Sequence, residues 1–286
     1  MKSMQLAVGI TYAFLPAVLL PFYARIIYIF LSKRKYRELD CYRIMIQIGI
    51  LQCSMAPCMF LVGLTHILDR DPFLLASNGM KIVSAAVRME ALLSFVLALD
   101  RLRIICGLRN PQILVIATWI FGILYVTALM TPYAGYTVVP GQFLSTYDDS
   151  KPYSQVVRGV GTYVILITSS LTFLVYLVII IHLVRLHLQA TRNHAFDREK
   201  AILIYALVRF LADLTLSLLY NYATSDAPHS DLHNVLCYAG YILNNLLVST
   251  VLYLAIYTRL RKEFVPCRNH SVHAVTVDRT TRIERA

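Results

Sequence analysis

The feature that most constrains this chain is the interval between its charges: seven long apolar stretches alternate with short polar segments, and basic residues crowd into every second segment. The stretches run over residues 5–31, 42–65, 73–105, 111–131, 160–182, 201–222 and 235–257. Each is long enough to cross a hydrocarbon core of roughly 30 Å, which takes about 20 residues in a helix. Hydrophobic residues make up 58% of the 286, and the mean hydropathy is +0.61, more apolar surface than a soluble domain of this size can hide. The runs are continuous rather than alternating, so helices are expected and a β-barrel is not. The predicted fold class is all-α, a seven-transmembrane helix bundle over 1–257. A membrane-surface amphipathic helix over 258–267 and a flexible cytoplasmic tail over 268–286 are expected to follow it.

Orientation follows from the basic residues, because Lys and Arg in short loops stay in the cytoplasm. Nineteen of the 27 fall in the first, third and fifth loops and the tail, against five in the opposite set. The N-terminus is therefore expected outside and the C-terminus in the cytoplasm. The formal charge of +11 lies at the edge of a bilayer, where it faces anionic membrane lipid, and no nucleic-acid partner is expected. The first stretch begins like a signal peptide but runs into Lys33, Arg34 and Lys35, a stop-transfer arrangement, so it is read as a retained helix. Cysteine placement excludes a disulfide framework: Cys53, Cys58 and Cys237 fall in stretches, and Cys41, Cys106 and Cys267 face the reducing cytoplasm.

Charges inside the stretches each cost roughly 2.5–3.5 kcal/mol at the bilayer centre unless a partner or water meets them. Four stand out: Arg88, Glu90, Arg209 and Asp213. In the third stretch Glu90, Ser94, Leu97 and Arg101 share one helical stripe, whereas Arg88 points roughly opposite. Arg209 and Asp213 are spaced i, i+4 and can pair with each other. Glu90 is either a carboxyl that joins helices or a contact for a polar or cationic ligand. Asn244, Asn245, Tyr238 and Tyr241 form either a polar wall beside it or interhelical hydrogen bonds. Val83, Val87, Glu90, Tyr238, Tyr241 and Asn245 make up the candidate ligand pocket.

At the inner boundary, Arg101 either snorkels to Asp100 and lipid phosphate or pairs with Asp197 or Glu199 at the base of the sixth stretch. Such a pair would tie the third and sixth helices together, with an energy a ligand can overcome.

Leu99, Asp100, Arg101 and Leu102 resemble the Asp-Arg-Tyr triplet of rhodopsin-like G-protein-coupled receptors with the Tyr replaced. Trp119 in the fourth stretch, and Val251 to Leu254 followed by Arg259 to Phe264, resemble that superfamily too. The chain departs from it at Ser249 and Thr250, where Asn-Pro would stand, in a sixth stretch without proline, and in lacking the outer-loop disulfide. It is similar to the nematode serpentine chemoreceptors in length, short N-terminus and Leu-Asp-Arg pattern, over nearly all of the chain to Cys267. The resemblance implies a plasma-membrane receptor of sensory neurons with a small extracellular ligand and a heterotrimeric G protein as partners. It implies coupling through Asp100, Arg101, Arg103, Asp197, Glu199 and Tyr253.

The outer segment from Pro132 to Gly159 is rich in Tyr and Asp and is either a mobile lid or an ordinary exposed loop. Leu260 and Phe264 lie i, i+4 among charged residues, which suits a helix on the inner membrane surface. Cys267 directly after it is either a lipidation site or a free thiol. No cofactor is expected: the seventh stretch has no Lys for a retinal Schiff base, and His66, His182 and His187 sit at stretch ends rather than as a buried catalytic or zinc cluster. An enzyme is therefore not expected. A secondary transporter using the intramembrane charges is the alternative, set against the lack of an internal repeat.

Overall fold

The computed structural model describes residues 2–106, 112–189, 194–223, 231–256 and 258–264. The apolar stretches are long helices: α1 Lys2–Ser32, α2 Asp40–Leu68, α3 Leu75–Cys106, α4 Gln112–Met130, α5 Ser154–Gln189 and α6 His194–Ala223. The last, α7, runs as α-helix over Asp231–Ile242, as π-helix over Leu243–Val248 and as α-helix again over Ser249–Ile256. A short helix, α8, covers Thr258–Phe264. Six helices among the described residues are long and apolar enough to cross a membrane: α1, α2, α3, α4, α5 and α7. α6 is 30 residues long, with Arg209 and Asp213 in its interior. In a bilayer every backbone amide must be satisfied within its own segment, and a continuous helix does this.

α3 is the axis of the bundle. In its most apolar window 61% of the residues are buried, against 22% in α4 and in α5, which leave their outer faces open. α1 and α2 cross closely because glycines meet there: a Cβ on Gly63 would lie 2.4 Å from the Ala13 nitrogen and 2.7 Å from the Gly9 carbonyl oxygen. Trp119 of α4 donates to Gln47 Oε1 of α2 at 2.8 Å.

The third helix starts two residues later than its apolar stretch. Phe73 is in a left-handed conformation (φ 54°) and 93% exposed. The Asp71 carboxylate ends the turn, accepting from the amides of Ala76 at 3.0 Å and Ser77 at 2.9 Å, so capping rather than hydropathy sets the boundary.

The segment between α4 and α5 is not an ordinary exposed loop. It is a folded antiparallel hairpin, β1 Tyr136–Thr137 with β2 Thr146–Tyr147, in which Tyr136 faces Tyr147. Tyr136, Val138, Phe143, Leu144 and Tyr147 are all buried, so the hairpin plugs one end of the bundle. At the opposite end α8 packs back on the bundle through fully buried Leu260, through Phe264 beneath the Arg25 guanidinium (5.5 Å), and through Glu263, which pairs with Lys35 at 2.5 Å. That hydrogen bond raises the Lys35 pKa above its ordinary value.

Candidate ligand cavity and buried ion network

Beneath the hairpin lies a cavity of about 70 Å³. Its walls are Val83, Ser84, Val87 and Arg88 of α3, Tyr220 of α6, Tyr238 and Tyr241 of α7, with Tyr136, Leu144 and Ser145 of the hairpin overhead. A second cavity of about 40 Å³ lies below, sharing Val87, Ile165 and Tyr241 with the first and lined further by Glu90, Asp213 and Asn245. Val83, Val87, Tyr238 and Tyr241 thus border the upper space, and Val87, Glu90, Tyr241 and Asn245 the lower one.

Tyrosines hold the hairpin down in place of a disulfide. The Tyr147 hydroxyl meets Ser84 Oγ at 3.0 Å, the Tyr125 hydroxyl at 2.9 Å and Arg88 Nη2 at 2.9 Å. The Tyr136 hydroxyl donates to the Ser145 carbonyl at 3.0 Å and meets the Tyr220 hydroxyl of α6 at 2.7 Å. The Val138 amide donates to Ser77 Oγ at 3.2 Å, and Tyr12 of α1 donates to the Phe143 carbonyl at 3.3 Å. Burial holds the Tyr136 pKa well above that of a free phenol, so its hydroxyl stays a neutral donor.

Below the cavities five helices meet in one polar network. Arg209 of α6 donates through Nη2 to Glu90 Oε1 of α3 at 2.5 Å and to Asn245 Oδ1 of α7 at 2.9 Å. Its Nη1 donates to the Asn244 carbonyl, inside the π segment, and to Ser249 Oγ at 3.2 Å. Its Nε lies 3.2 Å from Asp213 Oδ2, the i, i+4 pairing that the spacing predicts, and Asn244 Nδ2 donates to Asp213 Oδ1 at 2.6 Å. Gln52 of α2 donates to Glu90 at 2.5 Å and accepts from Tyr23 of α1 and from Ser249 at 3.2 Å. Glu90, Arg209, Gln52, Asn244, Asn245 and Ser249 are all buried. The π segment shifts the hydrogen-bond register to i, i+5, and in that register the backbone and both asparagines of α7 face Arg209.

Glu90 therefore already has a cationic partner and an amide donor, which favours the helix-joining reading of its carboxyl over a ligand contact. Arg88 projects from α3 away from that stripe, as its spacing predicts, yet it enters the upper cavity. Gln52, Tyr23, Ser84, Tyr125 and Tyr220 are not distinguished by sequence, and Ser249 stands out there only as a departure from the receptor pattern.

At the far end of α3, Asp100 and Arg101 are buried, with 0% and 4% of their surface exposed. Arg103 pairs with Asp100 at 2.9 Å and with Asp40 of α2 at 3.1 Å, so it ties α3 to α2. Tyr253 is fully buried, its ring stacked on Tyr23 at 6.3 Å and edge-on to Phe30 at 5.3 Å. The side chains of Asp197 and Glu199 lie outside the described residues, as does Cys267. Residues 268–286, expected as a tail, lie outside them too.

The arrangement is similar to that in the crystal structure of squid rhodopsin, with a TM-score of 0.67 over 92% of this chain and 84% of that chain at 15% sequence identity. No family model matches the chain, and no curated protein matches it in sequence. The likeness shows a rhodopsin-like fold, a bundle of long apolar helices.

Proposed function

We propose that this protein is a seven-span chemosensory receptor of the plasma membrane, with its N-terminus outside, that binds a small extracellular ligand and activates a heterotrimeric G protein. The observation that carries the reading is a rhodopsin-like fold with a cavity under the hairpin at one end of α3 and buried Asp100 and Arg101 at the other. Glu90 and Arg101 are eleven residues apart on one face of α3, about 16 Å along the axis, so one rigid helix links the two ends. A ligand between the hairpin and Tyr241 presses on the shared wall of the two cavities, and beneath that wall Arg209 joins α6 to α3 and α7. A ligand that favours a second arrangement of α6 has to work against these bonds and can shift the balance only by its difference in affinity for the two states. In the nematode-type reading, movement of α6 opens a cleft bordered by Arg101 and Arg103, with Asp197 or Glu199 as the partner that Arg101 releases. Tyr253 and Cys267 belong to the same cytoplasmic surface, the latter as a lipid anchor.

The transporter reading, which draws on Arg88, Glu90, Arg209 and Asp213, is weaker because three of these charges satisfy one another and Arg88 alone does not make a relay.

The test is nucleotide exchange on a G protein in cells, with wild type, Arg101→Ala and Glu199→Lys at matched surface levels, across small polar and volatile compounds. Exchange that responds to a compound in the wild type and disappears with Arg101→Ala, together with raised basal exchange in Glu199→Lys, is the expected result. Uptake of a solute by vesicles holding the purified protein, with no exchange under any condition, would replace the receptor reading with the transporter one.

A further inference from the structure

Among the described residues the upper cavity has one charged side chain, Arg88, and no carboxylate faces it. Arg88 is 7% exposed and stays protonated at any attainable pH. Its partners are neutral: the Ser84 carbonyl at 2.5 Å, Ser84 Oγ at 2.9 Å, the Tyr147 hydroxyl at 2.9 Å and the face of the Tyr125 ring at 5.2 Å. No carboxylate among the described residues pairs with it, and its Nε makes no hydrogen bond. The contrast with Arg209, held by both Glu90 and Asp213, lies within the same bundle.

An arginine in this position is expensive, and the fold makes room for it. On α5 a Cβ at Gly161 would lie 2.4 Å from Arg88 Nε and 3.0 Å from Nη2, so only glycine there lets the guanidinium reach the cavity wall. The neighbouring phenols do not supply the missing negative charge: buried Tyr136 is held protonated. Met59, Met80, Val83, Val87, Leu144 and Ile165 give the wall an aliphatic side, and tyrosines and serines make up the rest. A volume of about 70 Å³ is on the scale of a small organic ion rather than a peptide.

We infer that the upper cavity takes a small organic anion, a carboxylate with a short aliphatic body, for which Arg88 is the counter-charge. The guanidinium offers the carboxylate the Nη2 N–H that Tyr147 does not take. This deepens the receptor reading, because it names the ligand class of that cavity and reverses the cationic preference that Glu90 alone would have given.

The test uses the full-length protein in lipid nanodiscs without any G protein, so its failure and the failure of the signalling reading are separate results. Thermal unfolding is followed with sodium carboxylates from acetate to hexanoate, with butanamide as the neutral isostere of butanoate and butylamine as the opposite charge. At least one carboxylate is expected to raise the melting temperature saturably, with butanamide and butylamine inert at the same concentration. Arg88→Gln should weaken that carboxylate roughly 10- to 100-fold, the loss of a charged hydrogen-bond partner. Arg88→Lys, which keeps the charge without the planar fork, should lie between. If Arg88→Gln does not fold, the wild-type comparison of butanoate with butanamide still decides. Equal response to acid and amide, stabilisation by the amine, silence from every carboxylate, or stabilisation by chloride alone would overturn the inference.

Discussion

At the scale of single residues, the centre of the bundle is an ionic arrangement that tolerates no single deletion. Arg209 is the shared partner of Glu90 and Asp213, and Glu90 otherwise accepts from Gln52 among the described residues. Arg209→Met is expected to destabilise the protein by about 3–5 kcal/mol, because two carboxyls then remain without their cation. Glu90→Gln combined with Arg209→Met should be less damaging than the sum of the two single changes, with a coupling of about 0.5–3 kcal/mol. Thermal unfolding of the four proteins in one detergent measures it, and additive losses would mean that the pair contributes nothing to the folded state. The sequence made Arg88, Glu90, Arg209 and Asp213 conspicuous through their insertion penalty. Helical spacing put Arg88 and Glu90 on different faces of α3. It could not say which charges meet across helices, since that depends on the rotation of α6 relative to α3. Nor could it single out Gln52, whose neutral amide carries little penalty to draw attention.

Among the elements, the hairpin shows where hydropathy stops being informative. The helices are legible because each lies where a long apolar run has to satisfy its own backbone. Pro140 and Gly141 between the strands mark a turn, with Gly141 at φ 85°, but strands of two residues are too short to show an alternating pattern. Their place is fixed by contacts far away in the chain, with Tyr147 reaching Ser84 and Tyr125, and Tyr136 reaching Tyr220. The π segment of α7 is hidden for the same reason: Asn244 and Asn245 face Arg209 only once the helices are assembled. Tyr147→Phe removes one hydroxyl that serves Arg88, Ser84 and Tyr125 together. The expected loss is about 1.5–3 kcal/mol, because a buried charge is among the groups left short of a partner. Hydrogen exchange should rise over residues 134–148 while α2 and α3 stay protected. Unchanged exchange in the hairpin would mean that its apolar side chains, not the tyrosine hydroxyls, hold it in place.

For the whole molecule, the fold leaves one question that governs all the others: which end faces the outside. The bundle has a plugged end with the hairpin, the upper cavity and Arg88, and an opposite end with Asp100, Arg101 and α8. The basic residues divide unequally between them. The segment between α1 and α2 and the helix after α7 carry Lys33, Arg34, Lys35, Arg37, Arg261 and Lys262, all at the Arg101 end. The segments at the hairpin end have Arg70, Lys151 and Arg158. Insertion follows this bias in short loops, so the Arg101 end is expected in the cytoplasm, where a G protein can reach it, and the Arg88 cavity is expected to open outward. An epitope at the N-terminus should then bind antibody on intact cells, and one at the C-terminus only after permeabilisation. The reverse pattern would place the anion cavity inside the cell and Arg101 outside, which no G-protein-coupled mechanism can use. Because Arg88 and Arg101 stand on the same helix, this single measurement assigns both ends together.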